Sequence, residues 1–198
     1  MYIFFKRLFD IVSSLIVLII LFPFLLIIGI WISMDSKGGP FYRQVRVGKN
    51  GRHFKLLKFR SMRVGADKKG QLTVGDDFRV TKIGRFIRRY KIDEFPQLIN
   101  VIKGDMSIVG PRPEVPEYVE LYNAEQRKVL KVLPGLTDYA TIAFIDEQKV
   151  LGKATDPEDA YIHEVMPAKL NLNLKYINER SFFVDIRIVF KTFTKIFS

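Results

Sequence analysis

Cysteine is absent from all 198 residues, which excludes disulfide frameworks, thiolate nucleophiles and Cys-built zinc sites together. Histidine is nearly absent. With only His53 and His163, a His-rich metal centre is ruled out and any Ser-His-Asp triad would have to use one of the two. His53 follows a turn and His163 sits in a polar helical pattern, so both are read as solvent-exposed. Charge is missing locally: Ile11 to Met34 holds none, so the 32 basic and 21 acidic residues all lie outside that run. Acidic residues are missing between Ser36 and Ala66, where nine Lys or Arg occur. No alanine precedes Ala66.

Lys6 and Arg7 followed by an apolar run resemble the start of a secretory signal, but two absences argue against one. The 24-residue run exceeds the ~7–15 residues of a signal core, and no A-x-A-like cleavage site is available without alanine. A run of this length can span a bilayer. Pro23 at its midpoint removes a backbone donor, however, and both flanks are basic, which places both ends on the cytoplasmic side. Each arm of about 12 residues would be ~18 Å long, roughly half of a ~30 Å hydrocarbon core. The segment is therefore expected to be a re-entrant helical hairpin broken at Pro23, occupying residues 1–36, with a catalytic domain over 37–198.

The rest reads as α+β and mostly helical. Phe41 to Val47 and His53 to Phe59 flank an Asn50-Gly51 turn, a β-hairpin signal. Ser61 to Asp77 is polar and glycine-punctuated, hence a loop. Thr81 is a candidate N-cap for a basic amphipathic helix with Ile83, Phe86, Ile87 and Tyr90 on its apolar face. A further helix is expected from Asp93 to about Lys103, ended by Gly104. Asn123 to Gln126 and Thr155 to Glu158 read as capping boxes, with Pro134-Gly135 a break between them. Near the C-terminus Ile186, Val189, Phe190, Phe193, Ile196 and Phe197 form a stripe beside Arg187, Lys191 and Lys195. That pattern suits an interfacial helix and, equally, a helix packed on the core with a solvated basic face.

Eight basic residues from Arg43 to Arg63 favour an anionic partner. Beside an apolar segment, anionic membrane lipid comes first, because each Lys or Arg near such a surface contributes ~1 kcal/mol. No nucleic-acid-binding signature is present, so nucleic acid is not an expected partner. Asp93-Glu94 stands out by following Arg85, Arg88, Arg89 and Lys91. From spacing alone, Asp93 as a helix cap and Glu94 as a complement to the helix dipole is the stronger reading. A catalytic reading competes if phosphate or metal is handled nearby. Pro111-Arg112-Pro113 is a candidate for that, since flanking prolines hold the backbone stiff and let a guanidinium be aimed at phosphate oxygens.

Taken together, several ordered motifs resemble the bacterial sugar transferases, the monotopic phosphoglycosyl transferases. They are Lys58-Phe59-Arg60-Ser61-Met62, Asp77 to Arg85, Ile92-Asp93-Glu94-Phe95-Pro96-Gln97-Leu98, Gly104-Asp105-Met106-Ser107 and Gly110-Pro111-Arg112-Pro113. The likeness runs from the N-terminal segment with Pro23 to the Ser181–Lys191 region, and the chain resembles the family's minimal form.

The resemblance implies transfer of a sugar-1-phosphate from a UDP-sugar to polyprenyl (undecaprenyl) phosphate, releasing UMP, at the cytoplasmic face of the bacterial inner membrane. It implies Asp93 as the nucleophile that forms an aspartyl-phosphosugar, with Glu94 assisting and Mg²⁺ held by Glu94 and Asp93. Attack on a dianionic diphosphate needs preorganised cations, for which Arg88, Arg112 and Lys58 are the candidates. By likeness to other minimal members the sugar is expected to be an N-acetylated hexosamine. One departure is Asp138 after Pro134-Gly135-Leu136-Thr137, where the family often has glycine; it leaves sugar and uridine contacts in the 134–148 loop unassigned. The alternative is a non-catalytic membrane-anchored basic module for anionic lipid or nucleic acid, which would have no use for an acidic dyad within its basic surface.

Overall fold

A computed structural model describes residues 2–66, 70, 72–75 and 77–197, with Phe197 described as backbone only. Its longest element is α1, Tyr2–Asp35, one continuous helix that contains Pro23. The hairpin expected there is thus not seen as two separate helices. By length and composition α1 can cross a membrane. Its two ends nevertheless pack on one globular body. At the first end Arg7 donates to the carbonyls of Val101 (2.6 Å) and Ile102 (3.0 Å), and Asp10 accepts from the Ser107 hydroxyl at 2.7 Å. At the second, Ile28 and Ile32 are buried with Phe59, Ile83, Ile87 and Ile92, and the Asp35 carboxylate accepts from the Ile83 amide at 3.3 Å. Between them Ile19, Ile20 and Phe22 are 63–71% exposed, an apolar surface with no protein against it.

The expected hairpin forms from β1 (Phe41–Val47) and β2 (His53–Phe59), antiparallel from Phe41↔Phe59 to Val47↔His53. Asn50 and Gly51 supply the positive φ values its turn needs, +58° and +76°. Strand alternation puts Tyr42, Gln44, Arg46 and Lys58 on one face, toward a cavity, while Arg43 and Lys55 are exposed on the other. Helix α2 (Lys82–Arg89) follows with Thr81 as its N-cap, the hydroxyl accepting from the Gly84 amide at 3.0 Å. Gly84 lies so close to β2's exit that a Cβ there would stand 2.0 Å from the Ser61 carbonyl oxygen.

The single helix expected from Asp93 to Lys103 is instead two pieces. Lys91 adopts left-handed backbone (φ +55°), a 3-10 turn runs from Ile92 to Glu94, and α3 (Gln97–Lys103) starts only after Pro96. Proline lacks the donor that a continuous ladder would require, so the dyad sits in its own turn. The N-cap position of α3 therefore falls to Pro96 and not to Asp93, and no side chain caps the helix. Gly104, at φ +94°, ends α3 as expected.

A second sheet, not anticipated, is the parallel pair β3 (Ser107–Val109) and β4 (Gly135–Thr137). Here Pro134-Gly135 is less a break than a crossing: a Cβ on Gly135 would meet the Gly110 backbone at 2.1 Å. The C-terminal half is helical: α4 (Pro116–Glu120), a 3-10 stretch (Gln126–Lys131), α5 (Tyr139–Ala143), α6 (Glu147–Leu151), α7 (Pro157–Ala160), α8 (Met166–Glu179) and α9 (Phe182–Phe197). Asn123 and Gln126 cap each other's amides at 2.9 Å as the capping-box reading requires. At α7 the cap moves by one residue: Asp156, not Thr155, accepts from Glu158 and Asp159, and Pro157 takes the first helical position.

The main core joins Val47 to Val115, Tyr118, Val119, Val129, Leu151, Tyr161, Val165 and Leu170. Helix α9 turns Ile188 (0% exposed) inward with Val184 and Val189, leaving Phe183 and Phe190 exposed on the other side. It lies beside the start of α1, where Lys6 pairs with buried Asp185 at 2.9 Å and the Tyr2 hydroxyl donates to Asp185 at 2.8 Å.

Candidate active site

The hairpin, the dyad turn, the Pro-Arg-Pro segment, α5, α6 and α8 surround a cavity of about 280 Å³. Asp93, Glu94, Arg88, Arg112 and Lys58 all line it, although they are spread over 55 positions of sequence. Pro23 lies elsewhere, within the exposed stretch of α1. Lys91 joins the lining through the left-handed kink that precedes the dyad turn.

Asp93 is 8% exposed, and its Oδ1 is buried without a hydrogen-bond partner among the described residues. Burial, then the neighbouring Glu94 charge, raises its pKa above the ordinary carboxylate value, while Lys58, Arg88 and Lys91 oppose the rise. Glu94 goes the other way. Burial alone would raise it, but the Arg112 guanidinium, with Lys91 and Lys58, holds it far below the usual carboxylate range. Arg112 grips it end-on, Nη2 to Oε1 at 2.6 Å and Nη1 to Oε2 at 3.2 Å. The dyad thus contains one firmly ionised acid and one whose ionisation depends on the surrounding cations. Burial pulls the Lys58 ammonium down to about 8. Here the sequence expectation for Arg112 is refined, since its fork is engaged by Glu94.

Arg112 is fixed by more than its prolines. Its backbone amide donates to Asp138 Oδ2 at 3.1 Å, and Asp138 Oδ1 accepts from Thr141 at 2.5 Å as the N-cap of α5. Asp138 is fully buried. The residue that departed from the family pattern therefore ties the Pro-Arg-Pro segment to α5.

Beyond the dyad lies a set of residues that, Arg46 apart, carried no sequence signal. Arg46 Nη1 pairs with Glu114 at 2.8 Å, the Tyr161 hydroxyl donates to Glu114, and Lys169 pairs with Glu147 at 2.8 Å. They come from β1, the segment before α4, the turn before α8, α8 itself and the start of α6.

Two adjacent acids and an excess of basic side chains thus line one cavity, on a body carrying a long exposed apolar helix. The chain belongs to the bacterial sugar transferase family, whose sequence model matches residues 1–198. It is 37% identical over 197 residues to the UDP-N-acetylgalactosamine-undecaprenyl-phosphate N-acetylgalactosaminephosphotransferase of Aeromonas hydrophila, covering 96% of this chain and 43% of that protein. To the UDP-glucose:undecaprenyl-phosphate glucose-1-phosphate transferase of Escherichia coli (strain K12) it is 39% identical over 195 residues, covering 96% of this chain and 39% of that one. The exopolysaccharide production protein PSS of Rhizobium leguminosarum bv. phaseoli is 38% identical over 203 residues, 94% of this chain and 92% of that protein. The chain thus spans less than half of the first two relatives and nearly all of the third.

Proposed function

We propose that this transferase moves a sugar-1-phosphate from a UDP-sugar to undecaprenyl phosphate through a covalent intermediate on Asp93. The observation that carries the reading is Asp93, a buried acid that lines the cavity with Lys58, Arg88, Lys91 and Arg112 and keeps one carboxylate oxygen without a hydrogen-bond partner among the described residues. In the first half-reaction an Asp93 oxygen bonds to the sugar-bearing phosphorus. The bond from that phosphorus to the bridging oxygen breaks, and UMP leaves with the electron pair. In the second, an oxygen of undecaprenyl phosphate bonds to the same phosphorus and the Asp93 carboxylate is regenerated. Like-charge repulsion opposes both attacks. Lys58 and Arg88 offset it from the cavity lining, and Arg112, its fork held by Glu94, adds its charge from beside them. Glu94, kept ionised by Arg112, anchors that guanidinium at the edge of the reacting centre.

A bound Mg²⁺ would be held chiefly by Asp93, which has a carboxylate oxygen without a partner among the described residues, together with substrate phosphates; Glu94, with both oxygens on Arg112, would join it only by giving up one of those bonds. Such an ion supplies charge neutralisation on the diphosphate oxygens. An N-acetylated hexosamine remains the donor sugar expected from the sequence; the relatives' names include both N-acetylgalactosamine and glucose.

The same reading places residues 11–34 in one leaflet, with both ends and the 37–198 domain on the cytoplasmic face of the inner membrane. Arg7 and Asp10 before the apolar run, and Ile32 and Asp35 after it, contact the same globular body. A spanning helix would separate those ends by ~30 Å of hydrocarbon. The exposed Phe183 and Phe190 of α9, with Arg187 and Lys191 on the same helix, suit contact with anionic lipid at the interface. The non-catalytic alternative offers no role for a buried acidic dyad. Incubation with a panel of UDP-sugars, with and without undecaprenyl phosphate and Mg²⁺, tests the function: UMP release is expected from at least one donor, and none from any donor refutes it.

A further inference from the structure

The charged groups that line the cavity are of two kinds. Lys58, Arg88, Lys91 and Arg112 line it with Asp93 and Glu94, and Arg60, Arg63 and Arg79 line it as well, so this set carries an excess of positive charge. In the other set the charges cancel in pairs: Arg46 is paired with Glu114, and Lys169 with Glu147. These four side chains are 13–26% exposed, so they meet the cavity rather than bulk water. Lys169 is further held over the Tyr161 ring at 5.2 Å, and Tyr161 is bonded to Glu114. In the same wall the Thr141 hydroxyl is buried with no hydrogen-bond partner among the described residues.

A nucleotide sugar carries the matching division. Its diphosphate bears two negative charges, and its sugar is neutral and covered with hydroxyls. A charge-balanced cluster has little attraction for a phosphate. It does offer carboxylate oxygens that accept from sugar hydroxyls and an ammonium that donates to them, each a charge-assisted bond in a partly desolvated site. An orphaned buried hydroxyl costs free energy until a ligand atom satisfies it. We infer that Glu147, Lys169 and Thr141 form the subsite that reads the hexose of the donor. Arg46, Glu114 and Tyr161 are positioning residues that fix Lys169 from behind. The inference rests on the transferase reading and deepens it, assigning to α5, α6 and α8 the choice among donors that share one nucleotide.

This arrangement discriminates by polar pairing, and such sites reject analogues whose hydroxyl configuration leaves a buried group unpaired. Glu147→Gln, Lys169→Met and the near-isosteric Thr141→Val separate the possibilities. For each, kcat/KM is measured with UDP-glucose, UDP-galactose, UDP-N-acetylglucosamine and UDP-N-acetylgalactosamine, alongside inhibition by UMP, the part common to all donors. The expected result is a change of at least about tenfold in the ratio between the best and second-best donors for Glu147→Gln and Thr141→Val, with UMP inhibition within about twofold of wild type. A uniform loss across donors overturns the assignment. If UMP inhibition weakens in parallel, the cluster reads the nucleoside instead. Unchanged donor ratios also overturn it. The wild-type arm keeps the two levels apart: no UMP release from any donor refutes the transferase reading, whereas an active wild type leaves the variants to test the subsite alone.

Discussion

Asp138→Ala removes two bonds at once from a side chain with no solvent exposure. One is the α5 cap, Thr141 amide to Oδ1 at 2.5 Å, and the other holds the Arg112 amide to Oδ2 at 3.1 Å. Loss of an Asp N-cap costs about 1 kcal/mol, and a buried amide left without its charged acceptor costs about 1–3 kcal/mol. The sum, about 2–4 kcal/mol, corresponds to a fall of roughly 4–16 °C in Tm at about 2–4 °C per kcal/mol for a domain of this size. Asp138→Asn keeps one acceptor oxygen for the cap but presents an NH₂ group to the Arg112 amide, so it should fall roughly halfway. Thermal unfolding of the detergent-solubilised protein, followed by circular dichroism, reads both shifts. UMP release by the folded fraction should also drop, because the backbone that aims Arg112 has lost its anchor. A Tm within about 2 °C of wild type for Asp138→Ala would refute the reasoning, since the two bonds would then contribute nothing net.

Three further expectations concern the cations and the membrane segment. Arg112→Lys keeps the charge but loses the two-pronged grip on Glu94, so kcat/KM should fall at least about tenfold, ~1.4 kcal/mol; near-normal kinetics would demote the guanidinium to a generic charge. Because burial pulls the Lys58 ammonium down to about 8, kcat/KM should decline as pH rises through that value. The limb in kcat should lie higher, since bound diphosphate favours the charged form, and Lys58→Arg, charged throughout, should lose the limb; its persistence would exclude Lys58 as the source. Single cysteines placed near Met1 and at Gly38 of this Cys-free chain should both be shielded from an impermeant thiol reagent in intact cells. Labelling at Met1 alone would mean that the helix spans, and Pro23→Ala should shift the chain toward that state.

Local signals carried much of the fold. The Asn50-Gly51 hairpin, the Thr81 cap, the Gly104 stop and the Asn123/Gln126 box each depend on residues within a few positions, and each is where it was expected. Features made by chain crossings were not legible. Strands β3 and β4 are three residues each, too short to show a period, and their pairing depends on Gly110 and Gly135 touching across 25 positions. Pro96 was visible, but the helix signal around it masked its consequence, the separate turn that carries the dyad. Within the site, the residues from Lys58 to Arg112 were identifiable because each lies in or beside a short recognisable motif. Glu114, Glu147, Tyr161 and Lys169 were not, since ordinary polar residues far apart acquire meaning only when folding buries them together. Asp138 was noticed as a departure, while its function as the clamp on Arg112 needed coordinates.

Intact-protein mass spectrometry after exposure to the preferred UDP-sugar, without undecaprenyl phosphate, tests the central claim most directly. The account predicts a mass increase equal to one phosphosugar on the wild type, mapped by peptide analysis to Asp93, discharged when undecaprenyl phosphate is added and absent from Asp93→Asn, whose amide cannot serve as the nucleophile. A wild-type enzyme that turns over the full reaction yet never carries the adduct, or an adduct that survives Asp93→Asn, would contradict it.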